Sequence, residues 1–233
     1  MSIGRGGRPA RAEAKAGPAQ DTKRSRLSPE ARRAQLIELG VDMLATRRLD
    51  ELSVELIAST AGISRGLLFH YFSSKQEFHL EVARAAAAEM IRRTEPDPSL
   101  SPVEALRAGL TSFIDYVEAN PDNYKSLVRG AVSGDAEMRA IFDETRRRMA
   151  QRIIAVVAAQ GLAVQPRVTL AIHGWVAYVE ECVVRWIDTR TVTRDELLDL
   201  LTKSLPAVAL SATDGEVGTL VSILTADQAI GRT

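Results

Sequence analysis

Three observations predict an all-α fold for this chain. Apolar residues recur at three- and four-residue spacing across most of its 233 positions. No stretch sustains the apolar–polar alternation of a half-buried strand. Serine, proline, glycine and asparagine fall between the periodic segments, where helices start and stop, and divide the chain into about nine helices.

The elements follow in order. Ser28-Pro29-Glu30 is a helix start, with proline at the first helical position, where its missing N–H is no loss. The helix it opens turns Leu36, Ile37, Gly40, Met43 and Leu44 inward and ends near Thr46. Ser53 is the N-cap of a short helix whose apolar side carries Leu56 and Ile57, with Ala58 and Ala61 small enough to admit a second helix. Gly62 follows, in a left-handed position that a residue without Cβ occupies at little cost. Ile63 plugs the space between the two helices, and Ser64 caps the second, which runs from Arg65 to about Phe72 with Leu68 and Phe72 on one side. Ser74 caps a long helix from Lys75 through Phe78, Val82 and Met90, which breaks at Pro96 and Pro98.

Ser101-Pro102 starts a helix bearing Leu106, Leu110, Phe113, Ile114 and Val117, and Asn120-Pro121 opens another with Tyr124, Leu127 and Val128. Asp135 to about Gln160 is a long helix with Met138, Ile141, Phe142, Met149, Ile153 and Val157 along one side, stopped by Gly161. Gln165 to Asp188 is a second long helix, and Thr193 starts the last, through Leu197, Leu198, Leu201 and Leu205, with Pro206 expected to kink or end it. The segment 213–233 is expected to be a flexible tail.

Composition narrows the function. A hydrophobic share of 45% and a charged share of 26% are ordinary for a globular protein. The sole cysteine, Cys182, excludes an internal disulfide and suits a reducing compartment. No run approaches the roughly 20 apolar residues a bilayer-spanning helix needs. The expected location is therefore the cytoplasm, and no membrane partner is expected. The zero net charge hides an asymmetry: residues 1–94 hold 16 basic and 11 acidic side chains, an excess of five that residues 95–233 reverse. Residues 1–27, with seven basic and two acidic side chains among Gly, Ala and Pro, read as a disordered basic arm. Beside a DNA-binding module such an arm would touch phosphates or the minor groove, and otherwise it is a solvated tail.

An enzyme finds little material here. His70, His79, His173 and Cys182 are scattered, and no phosphate-binding glycine loop, HExxH or GxSxG occurs. Glu180 and Glu181 are adjacent, but helix neighbours point about 100° apart. No catalytic residue, metal or cofactor is expected.

Ser53 to Lys75, SVELIASTAGISRGLLFHYFSSK, is the informative stretch. Two short helices joined at a glycine turn, with polar, basic and aromatic side chains left facing outward on the second, form a helix-turn-helix that offers its second helix to the DNA major groove. The run AGISRGLLFHYFSSKQEF resembles the signature of the tetracycline-repressor (TetR) family, small-Gly-Val/Ile-Ser-x-x-x-Leu-Tyr/Phe-x-Tyr/His-Phe-x-x-Lys, at nearly every position between Ala61 and Lys75. The resemblance extends from Pro29 to about Met90. Glu55 departs from it, standing where some members place a DNA-facing polar or basic residue.

The expected DNA-binding residues are Ser53, Ser64, Arg65, Gly66, Leu67, Phe69, His70, Tyr71 and Lys75. Ser64 and Arg65 would reach base edges or phosphates, and Gly66 would permit close backbone approach. Leu67 or Phe69 would pack on a thymine methyl, while His70, Tyr71 and Lys75 would hold phosphates.

The resemblance implies three further things. Residues 28–75, with a connecting helix to about 93, would be the DNA-binding domain, and residues 94–212 a ligand-binding and dimerisation domain. The last two long helices would form a four-helix bundle across a two-fold axis. That agrees with Gln165–Asp188 being apolar on more sides than one core can use. A pocket in the second domain would be lined by Phe113, Tyr116, Tyr124, Phe142, Met149, Trp175 and Tyr178, with Arg146 and His173 as polar anchors. The expected protein is a homodimeric repressor of a palindromic DNA operator, released by a small and largely apolar effector such as an acyl-CoA, an aromatic or a drug-like molecule. An activator and a ligand-independent DNA-binding protein are the alternatives.

Overall fold

Capping serines and prolines set the helix boundaries in the computed structural model, which describes residues 28–132, 135–160 and 164–212. The Ser28 hydroxyl accepts from the Ala31 amide at 3.1 Å and opens α1 (Pro29–Met43). Ser53 and Ser64 do the same for α2 (Val54–Ala61) and α3 (Arg65–Tyr71), accepting from Leu56 and Leu67, each at 3.1 Å. Ser74 caps α4 (Lys75–Arg93). Ser101 and Thr193 form reciprocal capping boxes with Glu104 and Glu196 at α5 (Pro102–Ala119) and α9 (Arg194–Ser211). Asp135 accepts two amides at the start of α7 (Ala136–Ala159). Each such cap contributes about 1 kcal/mol to its helix. The set is completed by α6 (Pro121–Val132) and α8 (Pro166–Thr189). Among the described residues there are nine α-helices, one 3-10 turn at Leu49–Glu51 and no strand.

The chain departs from expectation at three places. α1 stops at Met43, not near Thr46, and the 3-10 turn occupies part of the connection, closed by the Glu51 carboxylate on the Arg48 amide at 2.8 Å. α3 stops at Tyr71 because Phe72 takes an extended conformation that drives its ring into the core. Pro206 does not end α9, which continues to Ser211. A proline inside a helix costs about 3 kcal/mol. Here Leu201, Leu205 and Ala209 are buried on either side of it, and their packing holds the last turns helical. The basic arm of residues 1–27 and the tail of 213–233 lie outside the described residues.

Two cores form. The first gathers Leu36, Leu52, Ile57, Leu68, Phe72, Phe78 and Val82 from α1 to α4 and extends to Leu127 of α6 and Met138 of α7. α1 crosses α4 so closely that a Cβ on Gly40 would lie 2.4 Å from Val82 Cγ2 and 2.9 Å from Phe78 Cζ, so only glycine fits there without displacement. The second core is built from α5 to α9 around Ile114, Val117, Tyr124, Ile172, Trp175, Val183 and Leu201, and it takes in Met90 from the far end of α4. α4 therefore belongs to both. Cross-links reinforce the junction. The Gln76 amide donates to the Asp135 carboxylate at 2.9 Å. Asn120, with its amide nitrogen turned toward the end of α1, donates to the carbonyls of Leu44 (3.2 Å) and Ala45 (2.9 Å).

Candidate nucleic-acid interface and cavity

α2 and α3 are positioned by the Gly62 turn. Gly62 has φ 65° and ψ 34°, the left-handed region, and the Ile63 amide returns to the Ala58 carbonyl at 2.9 Å. Ile57 and Leu68 face the first core. The opposite side of α3 therefore faces outward. Ser64, Arg65, Gly66, Leu67, Phe69, His70 and Lys75 are exposed, while Ser53 and Tyr71 are half-buried. Leu67 and Phe69, two residues apart on α3, expose 39% and 50% of their surface and so place two large apolar side chains together in solvent. A Cβ on Gly66 would meet only the Ser64 hydroxyl, at 3.9 Å, so the fold itself makes no demand for glycine there.

Three side chains have engagements that the sequence did not disclose. Arg65 Nη1 donates to Glu55 Oε1 at 3.0 Å across the α2–α3 turn, with both side chains about two-thirds exposed. Glu55 is held below the ordinary carboxylate range first by its backbone amide and then by Arg65. The residue that departs from the family pattern thus holds an arginine on the reading helix. Lys75 Nζ donates to the Asp50 carbonyl at 3.2 Å and so ties the start of α4 to the 3-10 turn. His79 Nε2 donates to the Leu52 carbonyl at 2.9 Å beneath the same turn. Burial lowers the pKa of His79.

The second site is a cavity of about 210 Å³ between α4, α5, α7, α8 and α9, with Tyr124 of α6 at one end. That exceeds the roughly 150 Å³ in which a dry apolar protein cavity accommodates a benzene-sized molecule. Phe113, Tyr124, Phe142, Arg146, Met149 and Trp175 are among its lining residues. Tyr116, His173 and Tyr178, also expected to line a pocket, are not among the residues that line this one. α8 turns Ile172, Trp175, Val176 and Val179 to the cavity, and at about 100° per residue positions 173 and 178 are carried off that face, leaving Tyr178 38% exposed. Tyr116 packs edge-on against Tyr124 and lies under the Arg93 guanidinium, on the other side of the ring that reaches the cavity.

Arg146 is a polar group of the cavity, but it is not free. Its Nε and Nη2 lie 2.7 and 2.5 Å from Glu180 Oε2, while Tyr124 donates to Glu180 Oε1 at 3.0 Å. Burial and then the Glu180 charge raise the Tyr124 pKa well above its usual value, so the phenol keeps its proton. Arg147 and Arg148 are exposed and pair with Glu144 on the outer face of α7. Arg152 reaches the other way, and its Nη1 donates to the Ile91 carbonyl of α4 at 2.7 Å. In the sequence Glu180 stands out only as the neighbour of Glu181. Its position one turn after Val176, on the apolar side, is the signal that separates the two.

An outward-facing helix-turn-helix on a nine-helix frame, with a cavity behind it, is the architecture of a DNA-binding transcription regulator. Residues 36–82 match the family model for bacterial regulatory proteins of the tetR family, and residues 102–208 match that for the tetracyclin repressor-like C-terminal domain. The chain belongs to the TetR family of transcriptional regulators.

A TetR-family regulator from Streptomyces coelicolor has the same fold, with a TM-score of 0.73 and 27% identity, covering 86% of this chain and 91% of that one. The transcriptional repressor KstR2 of Mycolicibacterium smegmatis is 34% identical over 92 residues, 39% of this chain and 45% of the relative. The transcriptional activator FasR of the same species is 28% identical over 109 residues, 44% and 48% respectively. The chain thus spans about half the length of these curated relatives. Among the described residues no helix is long and apolar enough to cross a membrane.

Proposed function

We propose that the protein is a ligand-responsive repressor that binds a palindromic operator as a homodimer and is released by a small, largely apolar effector taken into the cavity. Residues 28–75, with a connecting helix to about 93, would form the reading unit and residues 94–212 the ligand-binding and dimerisation unit. The observation that carries this is the double membership of α4. Its first turns hold the helix-turn-helix through Phe78 and Val82, and its last turns, at Met90 and Thr94, line the cavity. A molecule that changes the packing of Met90 therefore acts on the helix that supports α3. It would favour a second arrangement of the two reading units and so shift the population away from the DNA-bound state.

Arg65 and Ser64 would meet base edges or phosphates at the N-terminus of α3, Gly66 would let the backbone come close, and Leu67 or Phe69 would cover a thymine methyl. Lys75, His70 and the half-buried Tyr71 would contact phosphates, with Ser53 at the start of α2 beside them.

The dimer would form on the outer faces of α8 and α9. Leu170 (74% exposed), Tyr178 and Leu200 (51%) stand there unburied. A Cβ on Gly174 would meet nothing within 4 Å in its own chain, so the space that glycine leaves is open to a second copy. A single helix-turn-helix reads too few base pairs for useful specificity, which is why two-fold pairing fits the reading unit.

Footprinting on the DNA upstream of its own gene, together with native mass spectrometry, tests this reading. The expected result is a dimer protecting an inverted repeat. A monomer that leaves that DNA unprotected ends the proposal. The likeness to an activator gives one second reading substance. Loss of the gene should raise reporter expression from the protected promoter if the protein represses, and lower it if the protein activates.

A further inference from the structure

Three charged side chains line the cavity: Arg146, Arg152 and Glu180. Two of them cancel. Glu180, with 12% of its side chain exposed, has one oxygen taken by the Tyr124 hydroxyl and the other by two Arg146 nitrogens. Arg146 Nη1 also lies 3.5 Å from the exposed Asp143 carboxylate, so that corner has no positive charge to spare for an incoming anion.

Arg152 is different. Its contacts are the Ile91 carbonyl at 2.7 Å and the Thr94 hydroxyl at 3.5 Å, both uncharged. Among the described residues no carboxylate pairs with it. It is half-buried beside Met149 and Ile153. A cation in such surroundings is disfavoured by the water it has lost unless a counter-charge replaces that water. A carboxylate is the group whose two oxygens match the planar fork of a guanidinium.

We infer that the effector is a monoanionic amphiphile, an apolar body carrying one carboxylate, and that Arg152 binds that carboxylate. This rests on the cavity being the effector site. The body lies along the apolar wall toward Phe113, Trp175 and Val179. Arg152 and Arg146 leave α7 six residues apart, about 9 Å along its axis, so a second acid at the far end of the ligand would face Glu180. A monoacid therefore binds better than a diacid. The carboxylate also docks one hydrogen bond from α4, because the same guanidinium already holds the Ile91 carbonyl.

Matched probes test this on the full chain by calorimetry, with the fluorescence of cavity-lining Trp175 as a second readout. Decanoate and phenylbutyrate should each bind at least about tenfold tighter than decanol and phenylbutanol, about 1.4 kcal/mol, and decanedioate should bind more weakly than decanoate. Arg152→Met should abolish the preference for the acids and leave the alcohols unchanged, and Arg152→Lys should retain part of it. Equal binding of acid and alcohol by the unmodified protein overturns the assignment to Arg152 while leaving the cavity as effector site. So does a preference that survives Arg152→Met, or tighter binding of decanoyl-CoA than of decanoate. If none of the probes binds, the effector-site reading falls with it.

Discussion

The two cores of this protein are built from similar helices yet end differently. In the first, Leu52, Ile57, Phe72, Phe78 and Val82 are at most 2% exposed, and α1 meets α4 with no room for a Cβ on Gly40. In the second, Ile114, Val117, Val183 and Leu201 are just as buried, but the helices leave between them a pocket of about 210 Å³ lined by half-buried Phe113, Met149 and Ile153. The first core closes on itself, as a rigid mount for a reading helix requires. The second leaves space that its own side chains do not fill. α4 is shared, so both cores rest on one helix.

Substitutions that probe packing should give the largest contrast. Phe78→Ala in the closed core should cost about 3–5 kcal/mol of stability. Phe113→Ala should cost less by at least about 1 kcal/mol, because part of its ring faces empty volume and has fewer contacts to lose. Urea unfolding measures both, and equal losses would break the distinction between the cores. The glycines sharpen the same point. Gly40→Ala should destabilise by about 1–3 kcal/mol through overpacking against Val82 and Phe78. Gly109→Ala on the cavity wall meets only the Thr94 carbonyl, at 3.8 Å, and should be neutral or stabilising by about 0.5–1 kcal/mol.

At the reading surface, Arg65→Ala should weaken operator binding by about 1–3 kcal/mol and relax specificity at one position. A uniform loss across sequences would assign Arg65 to phosphate alone. Glu55→Gln frees Arg65 and should alter which base is preferred, with little change in stability, because the Arg65–Glu55 pair is exposed and screened. Lys75→Ala should weaken binding evenly and reduce the slope of log affinity against log salt by about one. An unchanged slope would leave Lys75 with its structural bond to Asp50 only.

The smallest expected effect is a pH dependence from His79. Burial lowers its pKa in the folded protein, so the unfolded chain binds the proton more readily. The contribution to stability is present above about pH 6.5 and is lost as the pH falls through the folded value. Comparing unfolding at pH 7.5 and 5.5, the unmodified protein should lose more stability than His79→Gln. Parallel losses would remove His79 as the cause.

Much of the first core was legible because its signals are local. Ser28, Ser53, Ser64 and Ser74 cap within three residues, and Gly62 announces its own left-handed turn. The cavity was not legible in the same way. Phe113, Met149 and Trp175 occupy helical spacings that serve equally for a filled core, and nothing local separates a side chain that meets a neighbour from one that meets a void. Tyr178 and Glu180 show the difficulty on one helix. The aromatic residue looks like lining and the acid looks like surface, yet the rotation of α8 exposes the first and turns the second to Arg146. Pro206 shows it for the backbone, where a local breaker yields to buried neighbours.

By itself the sequence determined most of the helices, their order, the turn at Gly62 between α2 and α3 and the family, since caps, turns and a short recognition motif act over a few residues. Only the tertiary structure decided that Glu55 supports Arg65, that Arg146 is neutralised while Arg152 is not, and that the second core is hollow. Those are relations between helices far apart in the chain. They depend on how each helix is rotated about its axis, and packing sets that rotation.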